Sequence, residues 1–148
     1  MMNNEGLIIR YDEFIGRAKR RDTLNQFRRN RSLTKKFRDT IILHYRDKEL
    51  LERINRTFPF VFDFTKVDNM EIVHWPTHSK MVPHKDPGDR LSFIIYLNDD
   101  YEGGETIVDG LKIKPKKGRL IIFSNGLYEH SVNEITKGNR YTLIAWYK

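Results

Sequence analysis

The chain has 148 residues, no cysteine and a formal net charge of +7 at pH 7. Its length suits one domain with a single core, residues 1–148, and the lack of cysteine excludes disulfides and thiolate metal sites. No apolar run approaches the roughly 18 residues of a membrane span, and the first residues lack the pattern of a secretion signal. These features predict an intracellular, cytoplasmic protein that does not act at a membrane.

The N-terminal part, residues 1–58, is predicted to be mainly helical. Residues 7–9 form either a short strand or the lead-in to a helix. Asp12 is a candidate N-cap for a helix that carries Phe14 and Ile15.

Two further helices are predicted in this part. One starts near Ser32, because apolar residues then recur at helical spacing: Leu33, Phe37, Ile41, Ile42 and Tyr45. The other is capped by Asp47 and ended by Pro59, and its apolar residues are Leu50, Leu51 and Ile54.

Eleven Lys or Arg side chains lie between residues 10 and 38: Arg10, Arg17, Lys19, Arg20, Arg21, Arg28, Arg29, Arg31, Lys35, Lys36 and Arg38. They could form a positive patch that attracts nucleic acid or an acidic protein. A solvated helix face explains them more simply, because no aromatic residues interleave as in single-strand binders. Nucleic acid is therefore only weakly supported as a partner.

Residues 59–148 change to a pattern of short strands separated by turn signals. The predicted strands are 60–64, 70–73, 90–97, 105–108, 111–114, 120–123 and 140–147, with a two-residue turn at Asp109-Gly110. Many short strands with few helices predict an α+β, mostly β fold. Its core would be a double-stranded β-helix, a cupin-like jelly roll, with the N-terminal helices bracing the outer face of one sheet.

His84 and Asp86 are two residues apart in a stretch predicted to be extended, so both side chains would point to one face. His130, which follows the predicted strand 120–123, is the best candidate for a third ligand. Two histidines and one carboxylate on one triangular face form the set that binds iron in non-haem Fe(II) oxygenases.

The histidines also permit plainer interpretations. An Asp beside a His is often only a salt-bridge or turn partner, and His44 lies in a helical pattern as a half-buried surface residue. His74 and His78 have a spacing that binds zinc on a helix. Pro76 between them argues against a helix, so they are interpreted as strand-end or loop residues.

Arg140 opens a strongly apolar run that is predicted to be a central strand, buried on both faces. A guanidinium there needs an anion, and a bidentate carboxylate is its best partner. Taken alone, a structural ion pair with one of the chain's own acids is the favoured explanation of Arg140.

The order of motifs in the second half resembles the 2-oxoglutarate/Fe(II)-dependent dioxygenases, and most closely their prolyl hydroxylase branch. The matching features, over about residues 70–148, are His84-x-Asp86, Tyr96-Leu97-Asn98-Asp99, Gly103-Gly104-Glu105-Thr106, Pro115-x-x-Gly118, Phe123, His130-x-Val132, Lys137-Gly138-x-Arg140-Tyr141 and Trp146.

The resemblance implies His84, Asp86 and His130 as the iron ligands. It implies Arg140 for the far carboxylate of 2-oxoglutarate, with Tyr96 helping to hold it. The implied cofactors are Fe(II), 2-oxoglutarate as cosubstrate and O2, with ascorbate as an optional addition, and the products include succinate and CO2.

One departure concerns the tyrosine and glycine that the family often has ahead of the His-x-Asp pair. Here Trp75 and His78 stand near those positions, so the contribution of Trp75 to the cosubstrate pocket is left open. Gly103-Gly104 is interpreted as a turn without chemistry.

The predicted connections are short, with no insertion to close a lid over a small metabolite. This favours a protein or peptide substrate, such as a prolyl residue that becomes hydroxylated, over a free amino acid. The alternatives are an oxygenase acting on a small molecule or nucleobase, and a non-catalytic basic barrel that binds nucleic acid. Oxygenases that repair alkylated bases carry a second arginine at a short spacing after the first. None follows Arg140, so the nucleobase alternative ranks low. The oligomeric state and the position of hydroxylation stay open.

Overall fold

The computed structural model describes residues 6–59, 67–88 and 91–147. Within them the chain forms two α-helices, α1 (Arg17–Arg29) and α2 (Lys48–Thr57), and a 3-10 turn at Arg31–Leu33. The strands are β1 (Ile8–Tyr11), β2 (Lys35–Phe37), β3 (Thr40–His44), β4 (Val67–Trp75), β5 (Met81–His84), β6 (Leu91–Tyr96), β7 (Glu102–Gly103), β8 (Thr106–Val108), β9 (Leu111–Ile113), β10 (Leu120–Ser124), β11 (His130–Val132), β12 (Ile135–Lys137) and β13 (Arg140–Tyr147).

The strands form antiparallel sheets that pack face to face. A seven-stranded sheet has the order β1-β10-β6-β13-β4-β3-β2, a four-stranded sheet has the order β5-β11-β8-β9, and β12 pairs with β7. Apolar side chains join the two larger sheets: Tyr96 and Phe123 pack with Val108, and Trp75 packs with Val132. This arrangement is the predicted jelly roll.

The outer face of the seven-stranded sheet carries the two helices. Phe27 of α1 and Leu51 and Ile54 of α2 belong to one core cluster with sheet residues such as Ile72 and Leu143. The prediction that helices brace one sheet is confirmed. Strand β13 pairs with β4 and β6 and has buried residues on both faces, as predicted for a central strand.

Helix α2 begins where the sequence predicts. The Asp47 carboxylate accepts a hydrogen bond from the Leu50 N–H (3.0 Å), and the buried stripe is Leu50, Leu51 and Ile54. The same carboxylate also forms an ion pair with Lys19 of α1. Asp47 is itself buried, so it connects the two helices as well as capping one.

Replacing Asp47 with alanine is expected to lower the free energy of unfolding by about 1–2 kcal/mol, the usual cost of losing an N-cap. Asp47→Asn keeps the capping oxygen and loses only the charge, so its cost should be smaller. Urea unfolding of the two variants measures the difference. Equal losses would show that the charge at this position, and not the cap, stabilises the protein.

The helix predicted from Ser32 is wrong, because this segment is the β2–β3 hairpin. Leu33 is 66% exposed and Phe37 is 58% exposed, so the apolar spacing does not mark a buried stripe. Arg38, in the turn, has a positive φ of 53°, and the β-branched run that follows favours a strand. Pairing of β3 with β4 stabilises that choice through long-range contacts. His44 accordingly lies on β3, and it is exposed.

The helix predicted to start at Asp12 is also wrong. Residues 8–11 form a strand, and α1 begins only at Arg17. The Asp12 carboxylate instead accepts a hydrogen bond from Arg119 Nε (2.8 Å), which lowers the pKa of Asp12 below its ordinary value. Phe14 lies in the turn before α1, where its N–H donates to the Gly118 carbonyl (2.8 Å) and its ring is buried.

The other predicted strands within the described residues are present, with shifted ends. The Asp109-Gly110 turn joins β8 and β9 as predicted, and both of its residues have positive φ. The strand predicted at residues 60–64 and the start of the one at residue 90 lie outside the described residues. Neither described helix has the length and apolar character to cross a membrane.

Candidate metal centre

The three predicted metal ligands come from two neighbouring strands. His84 is the last residue of β5 and lies directly opposite His130, the first residue of β11. Asp86 follows the end of β5, so the two residues do not share one strand as predicted. The Asp86 N–H donates to the Asn125 carbonyl (3.0 Å), which fixes the backbone there.

The three side chains converge on one point. Asp86 Oδ1 lies 3.2 Å from His84 Nε2 and 3.5 Å from His130 Nε2. One potential ligand atom from each residue lies within 4.8 Å of the other two. No other group of this kind occurs among the described residues. The arrangement fits a cation bound by two imidazoles and a carboxylate.

Both imidazoles are oriented by their second ring nitrogen. His84 Nδ1 donates to the Val82 carbonyl and His130 Nδ1 donates to the Tyr128 carbonyl, each at 2.9 Å. In the neutral ring, this leaves the Nε2 lone pair facing the centre of the cluster, the orientation that a metal requires.

The charges of the three side chains favour a bound positive charge at the point where they converge. Burial alone would raise the pKa of Asp86, but hydrogen bonds and charges from His130 and His84 hold it below its ordinary value. Burial alone would lower the pKa of His130, but the Asp86 carboxylate and the Tyr128 carbonyl raise it. A divalent cation would satisfy the same carboxylate and replace the protons on the rings.

Arg140 lies in the cavity that contains these ligands. The cavity has a volume of about 570 Å³, and its wall includes all three predicted ligands, Arg140 and Thr106. Arg140 is 1% exposed, and no described carboxylate lies within ion-pair distance of it. The structural ion pair that the sequence alone favours for Arg140 is therefore absent from the described residues.

The partner of Arg140 in this structure is Thr106, which has no role in the sequence-based assignment. Arg140 Nη2 donates to Thr106 Oγ1 (3.1 Å), and the Tyr96 hydroxyl lies 2.5 Å from the same oxygen. Tyr96 is fully buried, and Arg140 lies 5.5 Å from the centre of its ring. If the Tyr96 hydroxyl donates to Thr106 Oγ1, that oxygen accepts two hydrogen bonds, one from Tyr96 and one from Arg140. The hydroxyl proton of Thr106 is then free to be donated to a ligand.

The buried Tyr101 hydroxyl also interacts with the Arg140 guanidinium. Two further donors at this end of the cavity have no acceptor within hydrogen-bond distance in the described residues. They are the buried Arg140 Nε and the indole Nε1 of Trp75. The guanidinium carbon of Arg140 lies 4.7 Å from the centre of the Trp75 ring. Buried donors are normally paired, so this end of the cavity fits an anionic group with several acceptor oxygens. A carboxylate has this chemistry, and Trp75 is therefore part of the pocket.

Gly104 has a packing role that the sequence did not indicate. Its φ is +69°, and an added Cβ would lie 3.4 Å from Arg140 Cδ and 3.0 Å from the Tyr101 ring. A larger residue would be strained at this φ and would press on the Tyr101 ring, which lies beside Arg140, while the Arg140 side chain itself is only in ordinary contact distance.

Asn125 is a second residue that sequence reasoning missed. It is fully buried beside Asp86, and its Nδ2 donates to Ser92 Oγ (2.6 Å). Its Oδ1 has no partner among the described residues and the side chain lines the cavity. Nothing in the local pattern signals this role, because it depends on contacts with Ser92 on β6 and with the Asp86 backbone, both distant in the sequence.

The other histidines lie away from the cluster. His74 is buried on β4, where its Nε2 is hydrogen-bonded to Asn139 Oδ1 (2.9 Å) and its ring stacks on Tyr141. Burial lowers the pKa of His74, so the ring is neutral near pH 7. His78 lies in an exposed turn with a φ of 76°. Their interpretation as strand and loop residues is confirmed.

Comparison with known proteins agrees with this geometry. The model of a family described as the 2OG-Fe(II) oxygenase superfamily matches residues 68–148, more than half of the chain. Human prolyl 3-hydroxylase 2 is 42% identical over 64 residues, which make up 38% of this chain and 9% of that protein. The chain thus spans only a small part of the length of this relative.

Solved structures share the fold along nearly the whole chain. A viral collagen prolyl hydroxylase from Paramecium bursaria Chlorella virus-1, in complex with 2OG, has a TM-score of 0.71 at 18% identity, covering 94% of this chain and 93% of that one. A prolyl hydroxylase from Trichoplax adhaerens, in complex with a hypoxia inducible factor peptide fragment, has a TM-score of 0.74 at 16% identity, covering 95% and 82%. Motif order, ligand geometry and family match lead to one assignment: the chain belongs to the 2OG-Fe(II) oxygenase superfamily.

Proposed function

We propose that this protein is a 2-oxoglutarate- and Fe(II)-dependent dioxygenase that hydroxylates a peptidyl residue, with a prolyl side chain as the favoured target. His84 Nε2, Asp86 Oδ1 and His130 Nε2 would hold the iron. Arg140 would bind the far carboxylate of 2-oxoglutarate.

One observation carries the proposal: the three candidate ligands share a single cavity with a buried guanidinium that has no carboxylate partner among the described residues. A buried charge of this kind is costly unless a ligand of opposite charge pairs with it. A dicarboxylate that reaches from the metal to Arg140 would supply that partner. The neighbouring donors, Thr106 Oγ1 and Trp75 Nε1, would bind the remaining oxygens.

The resemblance assigns Tyr96 to the same carboxylate. Its hydroxyl lies against Thr106 Oγ1, so its support for the proposal is indirect. We infer that Tyr96 positions the Thr106 hydroxyl, which then contacts the ligand.

The bound iron, with 2-oxoglutarate and O2, supplies the oxidation of an unactivated C–H bond, releasing succinate and CO2. The protein's own residues bind and orient the reactants. The Nδ1 hydrogen bonds of His84 and His130 keep the Nε2 atoms of both rings directed at the centre of the cluster, where the metal would bind. Ile94 and Ile144 line the cavity, and their apolar side chains would keep water from the inner part of it.

Three features support a peptide substrate. Human prolyl 3-hydroxylase 2 is named for prolyl hydroxylation, and the Trichoplax enzyme was solved with a peptide fragment. In this chain the cavity wall also includes Phe37, Arg38 and Asp39 at the tip of the β2–β3 hairpin, at the molecular surface. An extended segment of a larger molecule could lie across such a rim.

Anaerobic titration with Fe(II) and 2-oxoglutarate tests the proposal. A visible charge-transfer band of the chelated keto acid should appear, and admission of O2 should yield succinate. His44→Ala, which changes an exposed histidine outside the cluster, should behave like the parent protein. A folded, iron-loaded protein that develops no band on addition of 2-oxoglutarate would contradict the assignment.

A further inference from the structure

We propose that the peptide that enters this cavity carries acidic side chains close to the residue that is oxidised, and that the β2–β3 hairpin recognises them. The inference rests on the proposed function, because it concerns the substrate of the same site. The recognition residues are Lys35, Phe37 and Arg38 on the hairpin, and Lys80, which lines the cavity next to β5.

Strand register places two of these residues on the face of the sheet that borders the cavity. Lys35 pairs with Ile42, and Phe37 pairs with Thr40. Directly paired residues of antiparallel strands point to the same face of a sheet. Ile42 and Thr40 both line the cavity, so Lys35 and Phe37 lie on the cavity side.

The tip of the hairpin forms part of the cavity rim. Phe37, 58% exposed, and Arg38 both line the same cavity as the metal ligands. The Arg38 guanidinium lies 5.5 Å from the centre of the Phe37 ring. Lys80, also exposed, contributes a further cation to the wall. An exposed aromatic ring beside cations suits contact with a peptide that contains both apolar and acidic residues.

The positive charge of the hairpin is largely uncompensated. Residues 31–44 contain four cationic side chains, Arg31, Lys35, Lys36 and Arg38, and one acid, Asp39. None of these five forms an ion pair with any described residue. Glu71 also lines the cavity, but it is buried and accepts a hydrogen bond from Asn69 (2.9 Å), so its negative charge lies below the exposed rim. The rim therefore presents positive potential to an approaching substrate, which favours acidic segments and disfavours basic ones.

Simpler explanations account for some of the basic residues but not for Arg38 and Lys80. Arg28 and Arg29 stand in the last turn of α1, where cations offset the helix dipole. Lys36 pairs with Ile41, whose side chain packs on the helix side of the sheet, so Lys36 can protect an edge strand from aggregation. The edge-strand explanation applies to Lys35 as well, but neither explanation applies to Arg38 in the hairpin turn or to Lys80 next to β5.

A peptide fits this rim better than a nucleic acid does. Single-strand binders use a series of aromatic side chains along a basic groove. Here Phe37 is the one aromatic side chain among residues 31–44. The iron ligands lie in the same cavity, so a flexible peptide could reach both the rim and the metal.

The test uses the protein loaded with Fe(II) and 2-oxoglutarate under nitrogen. Three fluorescent proline-centred peptides differ only in their flanking residues, which are glutamate, serine or lysine. Fluorescence anisotropy should show the glutamate peptide binding about tenfold more tightly than the lysine peptide, a typical effect of complementary charges. The advantage should shrink as salt is added.

Charge reversal supplies the matched comparison. The double variant Lys35→Glu/Arg38→Glu should lose or invert the preference for glutamate. Lys112→Glu/Lys114→Glu makes the same change of charge on exposed residues near β9, outside the cavity wall, and should keep the preference.

Equal binding of the three peptides, or an unchanged preference in the hairpin variant, would overturn the inference. Binding of a labelled single-stranded oligonucleotide that the hairpin variant loses, with no peptide binding, would overturn it in favour of a nucleic-acid partner. If the enzyme forms succinate but binds the three peptides equally well, the preference for acidic peptides is contradicted and the proposed dioxygenase activity is not. If the protein prefers the glutamate peptide but forms no succinate when O2 is admitted, recognition of acidic peptides by the hairpin is supported and the proposed function is contradicted.

Discussion

Replacing Asp86 with alanine is expected to lower Fe(II) affinity and succinate formation by more than about 100-fold. Loss of a residue that merely orients a metal ligand costs about 10- to 100-fold, so loss of a ligand should cost more. Asp86 also has a central position, because its Oδ1 lies within 3.5 Å of the Nε2 atoms of both His84 and His130. Without it, two imidazoles remain and the charge that favours a divalent ion is lost.

Asp39→Ala is the matched control, because it removes another carboxylate from the wall of the same cavity. Asp39 lies at the exposed tip of a hairpin, so Fe(II) affinity should stay within about twofold of the parent value. Anaerobic calorimetric titration with Fe(II) measures affinity, and mass spectrometry measures succinate. Parental succinate formation by folded Asp86→Ala protein would show that the ligand assignment is wrong.

The parts of the molecule that the sequence predicts well are those encoded by short-range patterns. The Asp47 cap depends on residues within one helical turn, and the Asp109-Gly110 turn depends on two residues that adopt positive φ. The candidate metal ligands could be named from the sequence because few residue types bind iron and their order along the chain resembles that of a known family. The structure brings all three together, and their role as ligands stays a prediction.

The parts that were missed depend on long-range contacts. The residues of the β2–β3 hairpin have apolar spacing compatible with a helix, and only pairing of β3 with β4 selects the strand. Thr106 acquires its importance from Arg140, which is 34 residues away. Asn125 acquires its position from Ser92, which is 33 residues away. No local pattern encodes such pairs, so propensity and periodicity cannot find them.

Replacing Arg140 with methionine is expected to raise the KM for 2-oxoglutarate roughly 100-fold. Charge-assisted hydrogen bonds contribute about 1.5–3 kcal/mol each, and about 2.8 kcal/mol corresponds to a factor of 100. Methionine fills a similar volume without a charge, and the site has no described carboxylate to leave unpaired. The free energy of unfolding without 2-oxoglutarate should therefore stay constant or rise, because an uncompensated buried charge is removed.

Arg119→Met provides the opposite case at another buried arginine. Arg119 donates to Asp12 Oδ1 (2.8 Å) and to the Lys114 carbonyl, and it does not line the cavity. Its loss leaves those acceptors unpaired, so the free energy of unfolding should fall while the KM for 2-oxoglutarate is unchanged. Urea unfolding and initial-rate kinetics of the two variants separate a ligand-binding arginine from a structural one. If Arg140→Met lowered stability as Arg119→Met does and left KM unchanged, Arg140 would be structural, and the anion site would have to lie elsewhere in the cavity.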